Sequence, residues 1–549
     1  MIHEIARALT ACIRELYATD VTVEITRPDP AFGDFATNVA MKLAPQLHKS
    51  PRDVAEEITD LLRQDDVVVS AEVAGPGFIN IRVSDAAIID ATNHSAAADS
   101  LRGQVVVIET NNPNPFKDLH IGHAYNCIVA DTLANLSVAG GAHVHRVSYH
   151  GDVGLHVGKS MWSILRWCEG DAAKLQAVPE AERPKFLSER YVEGAAAYSS
   201  DPEARAAIEQ YAKDSFAPQG VFAEVYEICK QWSFDYISAT VERLGSQPVE
   251  KRYLESQADA AGLATVREHI GDVFAESDGA VVFAGEAFGL HTRVFIASRG
   301  TSLYEARDLG LMQLKQRDFH PTRSYIVTGG EQREYFRVVI KAAELALPEL
   351  DGVTHNISTG TVKLSTGKMS SRTGEVLNIE WLFEQLSTAL VQRGGTADDR
   401  DTLVGALRYT MLRSRIGGDV IFDIHNALSL EGNSGPYIQY AHARARSILR
   451  KAGAAPQSPD VPEFDAAERL LALKISSYPE ALEAAIAELL PHLICTYLYE
   501  LAQAFNRFYE QSRIIGDDRQ AVRLWLVQRY AATLHDGLAV LGIPAPEQL

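Results

Sequence analysis

Cysteine is scarce in this chain. Five residues, Cys12, Cys127, Cys168, Cys229 and Cys495, are spread over 549 positions without any C-x-x-C pairing. That scatter argues against a zinc site and a disulfide framework, and it fits a reducing compartment such as the cytoplasm. Long apolar runs are also missing, and none could span a bilayer, so no membrane association is expected. The opening stretch MIHEIARALTACIREL carries acidic residues within its apolar pattern and lacks a small-residue cleavage site, which speaks against a signal peptide. Basic residues are in deficit: 52 Lys and Arg stand against 72 Asp and Glu, a net charge of −20. A field of that sign disfavours nucleic acid at long range, although a local basic face can still hold phosphate. A nucleic-acid partner therefore requires a local patch.

The chain is too long for one ordinary core, and its pattern divides into blocks. Residues 1–85 open with an amphipathic helical pattern and close with VVVSAEVAGPGFINIRV, which alternates about a Gly75-Pro76-Gly77 turn as a strand pair does. A helix and a small-residue linker follow. QVVVI at 104–108 is short, β-branched and bounded by polar residues, as a buried parallel strand is. A Pro/Asn-rich loop and a helical pattern from about Ile121 to Val138 come next, which is the opening unit of a doubly wound α/β domain. Residues 160–270 are mostly helical and charged and read as an insertion within a catalytic block at 100–400. Strand signals return at 279–285, 293–298 and 324–330. From 402 to 549 the pattern is helical, interrupted at 432–436 and 452–464, and reads as a bundle with its own core. The expected fold is multidomain α/β: a Rossmann-type parallel sheet, a small α+β N-terminal domain and an all-α C-terminal bundle. No internal repeat is present.

Two segments carry chemistry. At the strand-to-helix junction stands Asn114-Pro115-Phe116-Lys117-Asp118-Leu119-His120-Ile121-Gly122-His123. Histidines three apart at a helix start share a face near free backbone N–H groups and can hold nucleotide phosphates, helped by the helix dipole. Gly122 between them lets an adenine ring approach the backbone. Alone, H-x-G-H is equally consistent with surface or metal-binding histidines. The second segment, Thr366-Gly367-Lys368-Met369-Ser370-Ser371-Arg372-Thr373-Gly374, is Gly-flanked and Ser/Thr-rich around a central lysine. Such a loop can close over a triphosphate and neutralise departing pyrophosphate, though in isolation it also reads as a solvated hairpin.

H-I-G-H followed by K-M-S-S resembles the paired signature of class I aminoacyl-tRNA synthetases. Three further stretches resemble the arginyl-tRNA synthetases: Glu109 to Asn114 with Lys117, Ser302 to Asp308, and Gly329 to Gln332. An arginine side chain offers a permanent charge and a planar fork of donors, so its pocket needs carboxylates. Asp308 and Glu109 are the expected acceptors, with Tyr304, one helical turn from Asp308, packing on or bonding to the guanidinium. Asn114 and Gln332 are expected to orient the α-amino group. Glu109 directly follows an apolar run, where a carboxylate is costly unless it meets a partner.

The resemblance extends to both ends. Gly33 to Asn38 and Gly75 to Asn80 resemble the family's N-terminal domain, which grips the tRNA elbow. Phe78 and Asn80, two apart on a strand, face one side to stack on and hydrogen-bond a base, with Phe78 as a core residue the competing reading. Gly435 to Lys451 resembles part of the family's anticodon-binding bundle. Its apolar stripe is Ile438, Ala441, Ala445 and Ile448, and His442, Arg444, Arg446, Arg450 and Lys451 form the local basic patch, which otherwise reads as a solvated face.

The implied reaction ligates L-arginine to tRNA(Arg) through arginyl-adenylate. His120 and His123 act at the α-phosphate, Lys368 with Met369, Ser370 and Ser371 at the ATP phosphates, and Mg2+ accompanies ATP with no zinc and no dedicated protein ligands. The chain is expected to work as a cytoplasmic monomer. Two departures from the family pattern stand out. Ser371 occupies the place of a second loop lysine, which Lys117 is expected to replace. Ala124-Tyr125-Asn126 follows H-I-G-H where many relatives have Leu-Arg. The competing functions are another class I synthetase, a small-metabolite adenylyltransferase and a non-catalytic tRNA-binding paralogue.

Overall fold

The computed structural model describes residues 1–93, 98–365, 377–453 and 463–548. At its centre five parallel strands run in the spatial order Thr354–Thr359, Arg323–Gly329, Val105–Asn111, His143–His150, Lys251–Leu254. The chain begins at the middle strand, whose Val106, Val107 and Ile108 are fully buried, and builds outward on one side. It then returns to build the other side from Arg323. The reversal beside Val105–Asn111 opens a crevice at the carboxyl ends of the strands, where ligands of doubly wound sheets bind.

The helix Ile121–Ala139 follows the first strand and is apolar on nearly every face, because it lies between the sheet and the C-terminal helices. Its Asp131 is fully buried and meets Arg408 of the helix Arg400–Leu412 at 2.8 Å. The same guanidinium donates to Thr132 Oγ1, Ser246 Oγ and the carbonyls of Leu244 and Leu541. A buried arginine is tolerable because its donors are met in this way.

Helices occupy the stretch expected as an insertion, from Leu155–Cys168 to Gly220–Arg243. Its far boundary differs from the expected 270, since Lys251–Leu254 is already a strand of the central sheet. Lys-Arg-Tyr-Leu has no apolar run to announce it, and only Tyr253 is buried. The strands Ala280–Phe283 and Arg293–Ile296 join Ala275–Ser277 in a separate antiparallel sheet.

Residues 1–83 contain an antiparallel sheet in which Val68–Ala74 and Phe78–Val83 pair about the Gly-Pro-Gly turn. The C-terminal helices share a core that includes Trp525 and the stacked rings of Phe505 and Tyr530. A short strand, Val420–Phe422, interrupts the expected all-helical stretch by pairing with Val362–Leu364. The bundle is also tied to the N-terminal domain, where Arg469 reaches Asp34 at 2.6 Å and also pairs with Asp85.

Candidate active site

His120 is the N-cap of the helix Ile121–Ala139, and its ring stacks on that of His123 with centroids 3.6 Å apart. The His120 backbone N–H donates to His123 Nδ1 at 3.2 Å. That bond places the His123 proton on Nε2, pointing away from the backbone. Burial, then His120 and Lys117, push the His123 pKa down to about 3, and burial also lowers that of His120. Both rings are therefore neutral near pH 7, able to donate a hydrogen bond but carrying no charge. A side chain at Gly122 would press on the His120 ring, 3.0 Å from Nδ1.

Two backbone bonds stitch this turn to the segment beyond the K-M-S-S loop: Ile121 N to Leu377 O at 2.9 Å and Ile379 N to Leu119 O at 3.1 Å. Lys368, Met369, Ser370 and Ser371 themselves lie outside the described residues, but the chain re-emerges from that loop against the histidine turn. Lys117 sits half-buried over the Tyr191 ring at 5.2 Å. Burial and then Lys159 lower its pKa, while Glu255 opposes them. Ala124 and Tyr125 are core residues, and Asn126 accepts from Thr359 Oγ1 at the end of a sheet strand. The departure from the Leu-Arg pattern is thus absorbed by packing.

The acidic pocket is built by two helices that touch backbone to backbone. In Glu255–Glu268 and Tyr304–Phe319, a Cβ on Gly262 would fall 1.7 Å from the Ala306 carbonyl oxygen, and one on Gly310 2.1 Å from that of Ala258. Only glycine permits this approach, which gathers Glu255, Arg307 and Asp308 at the strand ends. Glu255 pairs with Arg307 at 3.2 Å, and Arg307 also contacts Asp259. Asp308 forms no ion pair among the described residues; the hydroxyl of Tyr335 donates to it. Burial, then repulsion from Glu109 and Glu255, against the bond from Tyr335, leave its pKa at about 8. Burial and Asp152, against the pull of Arg307, leave Glu255 at about 7. The pocket is short of positive charge.

Glu109 also acts on this pocket, raising the pKa of Asp308 by repulsion. Both its oxygens are engaged, Oε1 with Lys315 Nζ at 2.5 Å and Oε2 with Asn112 Nδ2 at 2.7 Å, in a fully buried ion pair. It found the internal partner that its place after an apolar run demanded. A further carboxylate at the pocket is Glu255, whose sequence cue was its place after the short strand that composition hides. Asn114 lies beside it: Asn114 Oδ1 accepts from Gly151 N at 3.0 Å, and a Cβ on Gly151 would stand 2.8 Å from Asn114 Oδ1 and 3.0 Å from Glu255 Oε1. Tyr304, 60% exposed, opens its helix with Arg307 against its ring, and Gln332 is exposed in the turn after Arg323–Gly329.

At the chain ends, Phe78 is 40% exposed while Ile79, Ile81 and Val83 form the core, so Phe78 is not a core residue; Asn80 is half-buried. Arg444 stacks on Tyr509 at 4.2 Å, and Arg446 pairs with Glu547 at 2.8 Å. His442 leaves the basic patch: it is buried and bonded to the Pro546 carbonyl.

The model of the class I (R) tRNA synthetase catalytic domain matches residues 86–393, more than half of the chain. The chain belongs to the arginyl-tRNA synthetases. The family's N-terminal domain model matches residues 1–83, and a DALR anticodon-binding domain model matches 438–549. An arginine–tRNA ligase of Thermobifida fusca is 31% identical over 96% of both chains. The structure of the Thermus thermophilus arginyl-tRNA synthetase superposes with a TM-score of 0.81 at 26% identity, covering all of both chains. The Plasmodium falciparum enzyme, at 18% identity and a TM-score of 0.82, shares the fold. Against this arginyl-synthetase background the carboxyl pocket and the histidine turn lie at the place where a class I sheet reverses direction.

Proposed function

We propose that the chain ligates L-arginine to tRNA(Arg) in two steps, with the acidic pocket as its amino-acid site. The observation that carries this reading is the Asp308 carboxyl, held against its own charge and without an ion pair among the described residues, with Glu255 beside it. A guanidinium supplies that charge in a fork that two carboxylates can grip. Tyr304 closes over its plane, and Asn114 and Gln332 hold the α-amino group. Glu109, which also holds Lys315 and Asn112, adds its charge as a further acceptor toward the guanidinium.

The arginine carboxylate attacks the α-phosphorus of ATP and expels pyrophosphate. His120 and His123, neutral and donating, stabilise the α-phosphate oxygens without needing a titration step. Lys117 offers charge to the leaving phosphates beside Lys368, and Met369, Ser370 and Ser371 line the loop over them. Mg2+ enters with the nucleotide and neutralises its phosphate oxygens. The arginyl group then passes to the 2′-hydroxyl of the terminal ribose. The domain limits we propose are 1–85 for the tRNA elbow, 100–400 for catalysis and 402–549 for the anticodon. Phe78 and Asn80 face the elbow, and Arg444 with Tyr509 offers a stacked face to anticodon bases. We assign the enzyme to the cytoplasm as a monomer.

The test is charging of purified tRNA across a panel of amino acids. Arginine alone should be transferred, with AMP and pyrophosphate released. Transfer of another amino acid, or tRNA binding without transfer, would overturn the reading.

A further inference from the structure

Tyr149 stands at the carboxyl end of the strand His143–His150, opposite Tyr253 of the neighbouring strand. Its backbone N–H is held by Asn112 Oδ1 at 2.9 Å, and Asn112 is itself held by Glu109. Its ring packs against a cluster that includes Val107, Val147, Tyr253 and Leu311. Backbone and ring are thus fixed, yet the hydroxyl oxygen is buried with no hydrogen-bond partner among the described residues. Fewer than one in ten buried polar groups is left so, and each carries an energetic cost. The groups whose fields reach this oxygen are those of the acidic pocket: Asp308, Glu255 and Glu109, with Arg307 opposing them. Burial, reinforced by those carboxyls, keeps the phenol protonated, so it can accept and donate at once.

We infer that the Tyr149 hydroxyl is a specificity-determining contact that accepts a guanidinium N–H of the bound arginine. The inference rests on the reading of this pocket as the arginine site. Arginine has five N–H donors, more than Asp308 and Glu255 occupy as a forked pair. A neutral phenol takes one further N–H without adding charge to an already over-acidic pocket. An amino acid whose side chain carries no N–H at that reach would leave the hydroxyl as unpaired as it is in the free chain.

A buried hydroxyl without a partner serves binding at the expense of stability, so its removal should move the two in opposite directions. Tyr149→Phe should weaken binding of arginine, and of agmatine, which keeps the guanidinium but lacks the carboxylate, by roughly ten- to a hundredfold in calorimetric titration. KM for ATP and for tRNA should stay within about twofold, and Tm should hold or rise. Unchanged arginine affinity, loss for arginine but not for agmatine, or a fall in Tm with every KM moving together would each overturn the inference. The titration does not depend on turnover. A wild-type chain that binds arginine but fails to charge tRNA would therefore refute the functional reading and leave Tyr149 still tested.

Discussion

Arginine affinity should depend steeply on pH because the free pocket holds a proton that the bound guanidinium expels. Burial lifts the Asp308 pKa to about 8 in the unliganded chain; Glu109 and Glu255 raise it further, and the Tyr335 hydroxyl and Lys315 lower it. If only ionised Asp308 binds the fork, the apparent Kd carries a factor of one plus ten to the power of pKa minus pH. That factor is about 1.3 at pH 8.5 and about 11 at pH 7, so affinity falls roughly eightfold across that window and approaches tenfold per unit below it. Glu255, near 7, steepens the loss at the acid end. The assay is calorimetric titration with agmatine, whose own cationic groups stay charged throughout. In buffers of different ionisation enthalpy, binding at pH 7 should release about 0.9 proton from Asp308, and up to about half a proton more as Glu255 ionises. The sign for stability is opposite. A carboxyl whose folded pKa lies above its unfolded value destabilises the free chain as pH rises from about 4 to 8, because the unfolded state ionises first. The Tm gain from saturating arginine should therefore grow between pH 6.5 and 8.5. Asp308→Asn should abolish the slope attributable to this group and weaken binding by about a hundredfold or more, while holding or raising Tm at pH 8. A flat affinity across the window, or an unaltered slope in Asp308→Asn, would refute the reasoning.

Lys117→Ala should fold normally and lose arginine-dependent ATP–pyrophosphate exchange; wild-type turnover would show that Ser371 needs no substitute cation. His123→Ala should lower kcat by about a hundredfold, as loss of an oxyanion donor does, and because the ring is neutral, wild-type kcat should show no titration attributable to His123 between pH 5.5 and 8. Gly310→Ala should force apart the helices that carry Glu255 and Asp308, raising KM for arginine far more than KM for ATP; equal effects on both would mean the close approach does not set the pocket. Arg408→Met should cost about 3–5 kcal/mol in denaturant unfolding by stranding Asp131, and adding Asp131→Asn should recover part of it; strict additivity of the two would deny that they interact.

The sequence by itself determined the nucleotide end of this protein. A β-branched run, a Pro/Asn loop and H-I-G-H form one contiguous strand–loop–helix, so spacing alone places His120 and His123 at a helix start beside Lys117. The same locality made the strand pair about Gly75-Pro76-Gly77 readable, and Asp308 with Tyr304 on one helix. Only the tertiary structure decided the acidic pocket. Glu255 stands 53 positions before Asp308, after a strand whose Lys-Arg-Tyr-Leu gives no apolar signal, and it arrives because Gly262 and Gly310 let two helices touch. The same packing gave Glu109 an internal partner in Lys315, and drew His442 out of the basic patch onto a backbone carbonyl. A charge in sequence states only that it needs a partner. Which partner it meets, another residue or a substrate, is settled by what the fold brings within hydrogen-bond reach and what it leaves unpaired.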